Sequence, residues 1–187
     1  MNTKLISSLY KAIPYPGYVK DIWCESDNIE KLKNAIKLDS ANIKLAKDQT
    51  EELQLLAVDK EVDDEWNDIV NAMFFITNPT EKVQIVAVTR WPNVIKTIKI
   101  TSLNAQLIAV KSDPFLINYI DNPGYRLQAA AVRQDIGVMY WIKNPKPRII
   151  RYVINYCIRT QNIKPLKFIN LHKVDLPTLQ RLKLLLL

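Results

Sequence analysis

The sequence is poor in residues that many folds and catalytic sites require. Glycine occurs only 3 times in 187 residues, too few for a fold rich in hairpins or barrels. No glycine-rich loop precedes a helical pattern, which excludes the common phosphate-binding loops. The N-terminus has no continuous apolar segment of signal-peptide type. No apolar run approaches the ~18 residues of a membrane span. We therefore expect a soluble, cytoplasmic protein.

Residues with metal-binding or nucleophilic chemistry are equally scarce. The two cysteines, Cys24 and Cys157, form neither a disulfide framework nor a CxxC motif, which favours a reducing compartment. His172 is the only histidine, and a lone histidine is more often structural than catalytic. The acidic cluster from Glu61 to Asp68 lacks the glycine and the oxygen spacing of a calcium loop. We expect no enzymatic activity, no cofactor and no metal.

One short stretch recurs along the chain, as TEELQLLAV, TEKVQIVAV, SLNAQLIAV and GYRLQAAAV. Its glutamines are Gln54, Gln84, Gln106 and Gln128, with spacings of 30, 22 and 22. The alanines Ala57, Ala87, Ala109 and Ala131 keep the same spacings. Weaker matches upstream and downstream extend the pattern to six units, starting near Ser26, Thr50, Thr80, Ser102, Gly124 and Lys146. The second unit carries an insertion, EVDDEWND.

Each unit predicts two short antiparallel helices. The first half has apolar residues at helical spacing, and Thr50 and Thr80 are favourable N-caps. The second half, such as DPFLINYI, begins with a proline and ends at Asn-Pro, because the residue before proline avoids the α region. The alanine column predicts close helix contacts, and the glutamine column predicts hydrogen bonds to a neighbouring turn. One such pair cannot bury its apolar face alone, so the units must stack.

The segments NPTEKVQIVAVTRWPNVIKTIK and NPGYRLQAAAVRQDIGVMYWIKNP resemble the NPxxxxQxxAV repeats of many phage, giant-virus and bacterial proteins. The resemblance covers about residues 50–155 and more weakly 26–49, and it departs from the pattern at Ile100-Thr101 and Ile150. It brings no catalytic residues. It implies a HEAT-like helical array, of a kind that mostly binds proteins and occasionally nucleic acid. It also implies a viral or phage protein that binds and modulates a host or viral component.

The expected fold is therefore all-α, a HEAT-like α-solenoid of about six short helix pairs in one domain. We expect an N-terminal cap over 1–25, repeats over 26–169 and a C-terminal capping helix over 170–187. Asp175 and Pro177 are expected to open the last helix, LPTLQRLKLLLL. Its final leucines are expected to pack on the last repeat, the alternative being a role in assembly.

Charge is divided between the two ends of the chain. Residues 1–79 carry 9 basic and 14 acidic residues, a balance of −5, and residues 80–187 carry 17 and 5, a balance of +12. Basic residues share repeat columns, namely Lys82, Arg126 and Arg148 in one and Lys111 and Arg133 in another. Aromatic residues recur in two second-half columns, among them Phe74, Phe75, Tyr119, Tyr140 and Trp141. They either pack between stacked units or form an exposed stripe.

Two functions follow from this pattern. The first is a non-enzymatic protein-binding module whose basic surface selects an acidic partner. The second is a nucleic-acid-binding array that combines phosphate contacts with base stacking. The first is favoured because the acidic half would repel phosphate. The predicted partner-binding residues are the same for both: Tyr119, Arg126, Tyr140, Trp141, Lys143, Arg148 and Arg151.

Overall fold

The computed structural model describes residues 26–59, 72–170 and 174–186. Within these ranges the chain is helical and contains no strand, which confirms the prediction of an all-helical protein. Several predictions fall outside the described residues. They concern the N-terminal cap with Cys24, the acidic insertion, His172 and the packing of the final leucine side chains.

Longer α-helices alternate with shorter 3-10 helices through much of the described chain. The α-helices are α1 (Ser26–Leu38), α2 (Glu51–Val58), α3 (Glu81–Arg90), α4 (Leu103–Ser112), α5 (Tyr125–Gln134), α6 (Pro147–Thr160) and α7 (Leu176–Leu186). The 3-10 helices are η1 (Ser40–Leu45), η2 (Pro92–Lys96), η3 (Pro114–Tyr119), η4 (Ile136–Trp141) and η5 (Lys164–Phe168). Thr50, Thr80 and Ser102 accept a hydrogen bond from the backbone N–H three residues on, as expected of helix N-caps.

Outside the second repeat, where residues 72–75 are α-helical, the second half of each repeat is a 3-10 helix, where the sequence predicted a second α-helix. Asp113 and Asp135 each accept a hydrogen bond from the backbone N–H two residues on, which starts the chain in a tight turn. At the end of η3, the Ile120 N–H donates to the carbonyl three residues earlier, that of Ile117. With five or six residues in each segment, there is too little chain to establish an α-helical ladder.

Two of the three Asn-Pro turns have a different backbone from the one expected. Asn78 and Asn122 adopt left-handed conformations, with φ of 52° and 47°. Asparagine enters this region more readily than most residues. The restriction that proline imposes on the preceding residue is therefore only part of the reason for these turns. The tolerance of asparagine for positive φ is the other part.

The chain divides into two compact units, Met1–Val83 and Gln84–Leu187, with the boundary inside α3. In the first unit, α1, η1 and α2 pack against one another. Leu32, Ile36, Ile43 and Leu53 are buried there. This core shows why the short η1 segment persists, because Ile43 is fully buried between its neighbours.

In the second unit, the helices form two rows that follow chain order. The α-helices α4, α5 and α6 contact one another in succession, and so do η2, η3, η4 and η5. Each of α4, α5 and α6 also contacts the 3-10 helix that follows it. The core residues Val110, Leu116, Val132, Met139 and Ile154 are contributed by both kinds of helix. Consecutive repeats therefore bury their apolar faces against each other.

The repeated alanines are fully buried. Ala57, Ala87, Ala109 and Ala131 all have 0% exposure, as the expected close helix contacts require. Val153, at the same position in the longer helix α6, is also fully buried. The side chain at this column is therefore enclosed by its neighbours.

The repeated glutamines hold consecutive repeats together. The Gln128 amide donates to the carbonyls of Pro123 and Asn144, at 2.8 and 3.0 Å, and its oxygen accepts from Lys146 N–H at 2.8 Å. The Gln84 oxygen likewise accepts from Thr101 N–H and Ser102 N–H, both at 2.8 Å. Both side chains are buried, at 1% and 4% exposure. Each therefore joins its own repeat to the start of the next.

We predict that Ala109→Arg or Ala131→Arg prevents normal folding. Overpacking a close helix contact costs ~1–3 kcal/mol, and an unpaired buried charge adds to this. The measurement is thermal unfolding followed by circular dichroism. Ser112→Arg is the control, because Ser112 lies on the same helix as Ala109 and is exposed. A melting temperature unchanged in the alanine variants would show that the column is not buried.

We also predict that Gln128→Ala lowers the free energy of unfolding by about 2–4 kcal/mol, because it removes three hydrogen bonds made by a buried side chain. Gln106→Ala is the matched control. Gln106 is only half-buried and donates one hydrogen bond, to the Ile100 carbonyl. Its loss should cost clearly less. Equal losses in urea denaturation of the two variants would contradict a bridging role for Gln128.

Candidate functional site

Three of the predicted binding residues, Arg126, Trp141 and Lys143, line two depressions of the second unit. The first, which we call the helix-face groove, has a volume of about 460 Å³ and is lined by Leu107, Lys111, Tyr125, Arg126, Ala129, Ala130, Arg133 and Gln134. The second, the turn-face cleft, has a volume of about 300 Å³ and is lined by Ile117, Asn118, Ile120, Asp121, Asn122, Pro123, Trp141, Lys143, Asn144 and Lys146. The two share no lining residue.

The helix-face groove lies along α4 and α5, which pack side by side. Lys111 belongs to α4, and Arg126 and Arg133 belong to α5. All three are exposed, and none forms an ion pair with a carboxylate of the described residues. Gln134 ties the end of α5 to α4 by donating to the Val110 carbonyl at 2.9 Å. The groove is therefore a fixed surface with uncompensated positive charge.

Arg148 extends this positive surface onto α6. Its guanidinium lies over the ring of Tyr125, 5.8 Å from the ring centroid, in cation–π geometry. The ring of Tyr125 thus has a basic neighbour on the next helix as well as basic neighbours in the groove. Tyr125 was absent from the predicted site, although it immediately precedes Arg126 in the sequence.

Arg151 has a different environment from the other predicted cations. Its Nε lies 3.8 Å from Oδ2 of Asp175, the residue that caps α7. Asp175 Oδ1 also accepts hydrogen bonds from Thr178 N–H at 3.0 Å and from the Thr178 hydroxyl at 2.7 Å. These two bonds lower the pKa of Asp175, and the charge of Arg151 adds a smaller effect in the same direction. Arg151 therefore faces a carboxylate of its own chain.

The turn-face cleft combines an aromatic ring with lysines and carboxamides. Trp141 is 41% exposed, and Lys143 and Lys146 form no ion pair with a described carboxylate. Asn118 and Asn122 are exposed and make no side-chain hydrogen bond within the described part of the chain. The Gln128 side chain forms hydrogen bonds with the Asn144 carbonyl and the Lys146 N–H. These bonds hold the backbone of two cleft residues in place.

The aromatic column is largely exposed and also makes contacts between repeats. Tyr119 and Tyr140 are 49% and 63% exposed. Tyr140 meets Trp141 edge to face at 4.8 Å and Phe168 at 5.5 Å between ring centroids, which joins η4 to η5. Lys96 lies 5.8 Å from the ring centroid of Tyr119. The structure thus combines the two interpretations of the column, exposure and packing between repeats.

The described residues offer little catalytic chemistry. Cys157 is buried, and burial raises the pKa of its thiol, which favours the unreactive protonated form. Among the residues that the structure describes, no three His, Cys, Asp or Glu side chains are grouped as metal ligands would be. No helix in the described ranges is long and apolar enough to cross a membrane.

Comparison of the chain with protein-family models, with curated proteins and with solved structures finds no match. The repeat resemblance therefore stays a prediction.

The structure separates some of the predicted binding residues. Arg126 lines the helix-face groove, whereas Trp141 and Lys143 line the turn-face cleft. Lys111 and Arg133 share a repeat column, which was a signal that they lie on one face. No repeat column indicated that Phe168 would contact Tyr140, because Phe168 lies beyond the clear repeats.

We predict that Thr178→Val raises the pKa of Asp175 toward its ordinary value, because the hydroxyl donor is lost. Arg151→Gln should raise it less, since charge is the smaller cause. Carboxyl titration by NMR measures both, with Thr160→Val as a control remote from the carboxylate. Because the folded pKa is lowered, this carboxylate stabilises α7 fully above the unfolded pKa and less as the pH falls through the folded pKa. A larger shift in Arg151→Gln would reverse the assignment.

Proposed function

We propose that the chain is a non-enzymatic, protein-binding helical-repeat module whose second unit binds a partner with an acidic surface. The observation that carries this proposal is a set of exposed cations that form no ion pair with a described carboxylate and lie near exposed aromatic side chains. These cations are Lys111, Arg126, Arg133, Lys143, Lys146 and Arg148. An acidic partner would compensate them, and complementary charge speeds association.

The proposed architecture is a HEAT-like α-solenoid. It is supported by the two rows of helices in the second unit and by glutamine bridges between consecutive repeats. Stacked repeats present extended surfaces that suit partner capture. The phage and giant-virus resemblance adds the proposal that the partner is a host or viral component inside the cell, whose activity this protein modulates.

A protein partner is favoured over nucleic acid for two reasons. Tyrosine, tryptophan and arginine are the residues that most often anchor protein interfaces, and all three are exposed here. The balance of −5 over residues 1–79 would also repel a polyphosphate. A protein partner carries charges of both signs and can therefore avoid this repulsion.

The turn-face cleft supports nucleic acid as a second candidate. Trp141 offers a ring for base stacking, and Lys143 and Lys146 offer charges for phosphate. The carboxamides of Asn118 and Asn122 make no hydrogen bond within the described part of the chain. Single-strand binding proteins combine stacking and charge in this way.

A pull-down from the native host, carried out with and without nuclease, separates the two candidates. Capture of a protein that survives nuclease treatment supports the first. Capture that depends on intact nucleic acid supports the second and contradicts the first.

We predict that Trp141→Ala weakens binding of a protein partner by ~2 kcal/mol or more, as expected for an interface anchor. Arg148→Glu should act mainly on the association rate and should matter less at high salt. Binding kinetics at two salt concentrations measure both effects. Tyr152→Ala and Arg159→Glu are the controls, because both residues are exposed on α6 and line neither depression.

A nucleic-acid partner would give a different result. The logarithm of affinity would fall with the logarithm of salt concentration, with a slope near −0.9 per phosphate neutralised. Each basic residue removed would reduce that slope by about one. Unchanged binding in Trp141→Ala and Arg148→Glu, with the fold intact, would place the partner surface elsewhere.

A further inference from the structure

We propose that the helix-face groove binds an extended segment of the partner in which apolar side chains lie between two carboxylates. This inference rests on the proposed function and assigns one surface and one chemical class of ligand to it. It is carried by the arrangement of charge and apolar surface in the groove.

The spacing of the cations defines the spacing of the carboxylates. Arg126 and Arg133 lie on the same helix and point into the same groove. At ~1.5 Å of rise per residue they are about 10 Å apart along α5. An extended chain places every second side chain on one face, so two carboxylates four residues apart span about 13 Å, within reach of the two long arginine side chains, with an apolar side chain between them. Lys111, on the neighbouring helix α4, supplies a third positive charge.

The floor of the groove is apolar. Ala129 is 8% exposed, and Ala130 and Leu107 are half-buried. The alanines leave a depression between the cations because they have no side chain beyond Cβ. An apolar side chain of the partner that entered this depression would be removed from water, which is favourable in proportion to the area buried.

The same features disfavour a nucleic-acid strand in this groove. A phosphate backbone has no apolar group to place on the alanine floor. The only aromatic ring that lines the groove within the described residues is Tyr125, and the guanidinium of Arg148 already lies over it. A base could not stack on that face of the ring without displacing this cation.

None of the described residues that line the groove is acidic. A free carboxylate from a partner therefore meets no like charge in the groove. Arginine binds carboxylates through paired N–H donors, which gives geometric selectivity in addition to charge. Two such contacts would orient the segment along α5.

The test uses the full chain and a fluorescein-labelled synthetic peptide, Glu-Glu-Leu-Leu-Glu-Glu, at low salt. A second peptide carries serine in place of both leucines, and an oligothymidylate of matched charge is the nucleic-acid probe. We expect the leucine peptide to bind at least about tenfold tighter than the serine peptide, because burial of apolar side chains contributes to its affinity. Fluorescence anisotropy measures all three affinities.

Variants show whether binding occurs in the groove. Arg126→Glu with Arg133→Glu should weaken the leucine peptide at least about tenfold. Arg159→Glu with Lys164→Glu makes the same change in net charge outside the groove and should change affinity little. Ala130→Trp fills the floor and should reduce the preference for leucine over serine. Circular dichroism checks that each variant is folded.

Several results would overturn the proposal. One is that the leucine peptide shows no detectable binding, and another is that the two peptides bind with equal affinity. A third is that the control pair loses as much affinity for the leucine peptide as the groove pair does. The last is that the oligothymidylate binds more tightly than the peptides and loses this binding in the groove variants. Failure of the groove is distinguishable from failure of the proposed function. A nuclease-resistant protein partner that is lost in Trp141→Ala and retained in the groove variants would preserve the function and reject the groove.

Discussion

The arrangement of the second unit depends on a buried carboxamide that serves two consecutive repeats. Gln128 forms hydrogen bonds with the turn before its own helix and with the turn that opens the next one. A buried backbone N–H or carbonyl without a partner is costly, so the turns can move apart only if water replaces these bonds. The glutamine therefore sets the distance between α5 and α6. The alanine column, which has no exposed surface, sets how closely neighbouring helices approach.

Once this geometry is fixed, repeat register determines which exposed residues become neighbours. Lys111 and Arg133 are equivalent residues of consecutive repeats, and both line the helix-face groove. Arg126 and Arg148 are related in the same way, and both lie close to Tyr125. The positive surface therefore follows from the columns in which basic residues recur, together with the side-by-side packing of the α-helices.

Much of this was accessible from the sequence. Helical periodicity and the threonine caps predicted the α-helices, and the glutamine and alanine columns predicted the buried contacts. The 3-10 helices were not predicted, because Asp113 and Asp135 promote a tight turn while the apolar pattern is compatible with either helix. The division of the predicted binding residues between two depressions was not predicted either. Residues close in sequence, such as Trp141 and Arg148, lie on either side of a turn, and their side chains line or border different depressions.

The positions that specify the fold differ from the positions that face a partner. Gln128 and Ala131 are buried, so changes there act on stability. Arg126 and Arg133 lie on the same helix but are exposed, and exposed substitutions usually change stability little. Partner choice can therefore change without disturbing the repeat. For the same reason a repeat motif alone cannot identify the partner, since the motif consists of the buried residues and the partner meets the exposed ones.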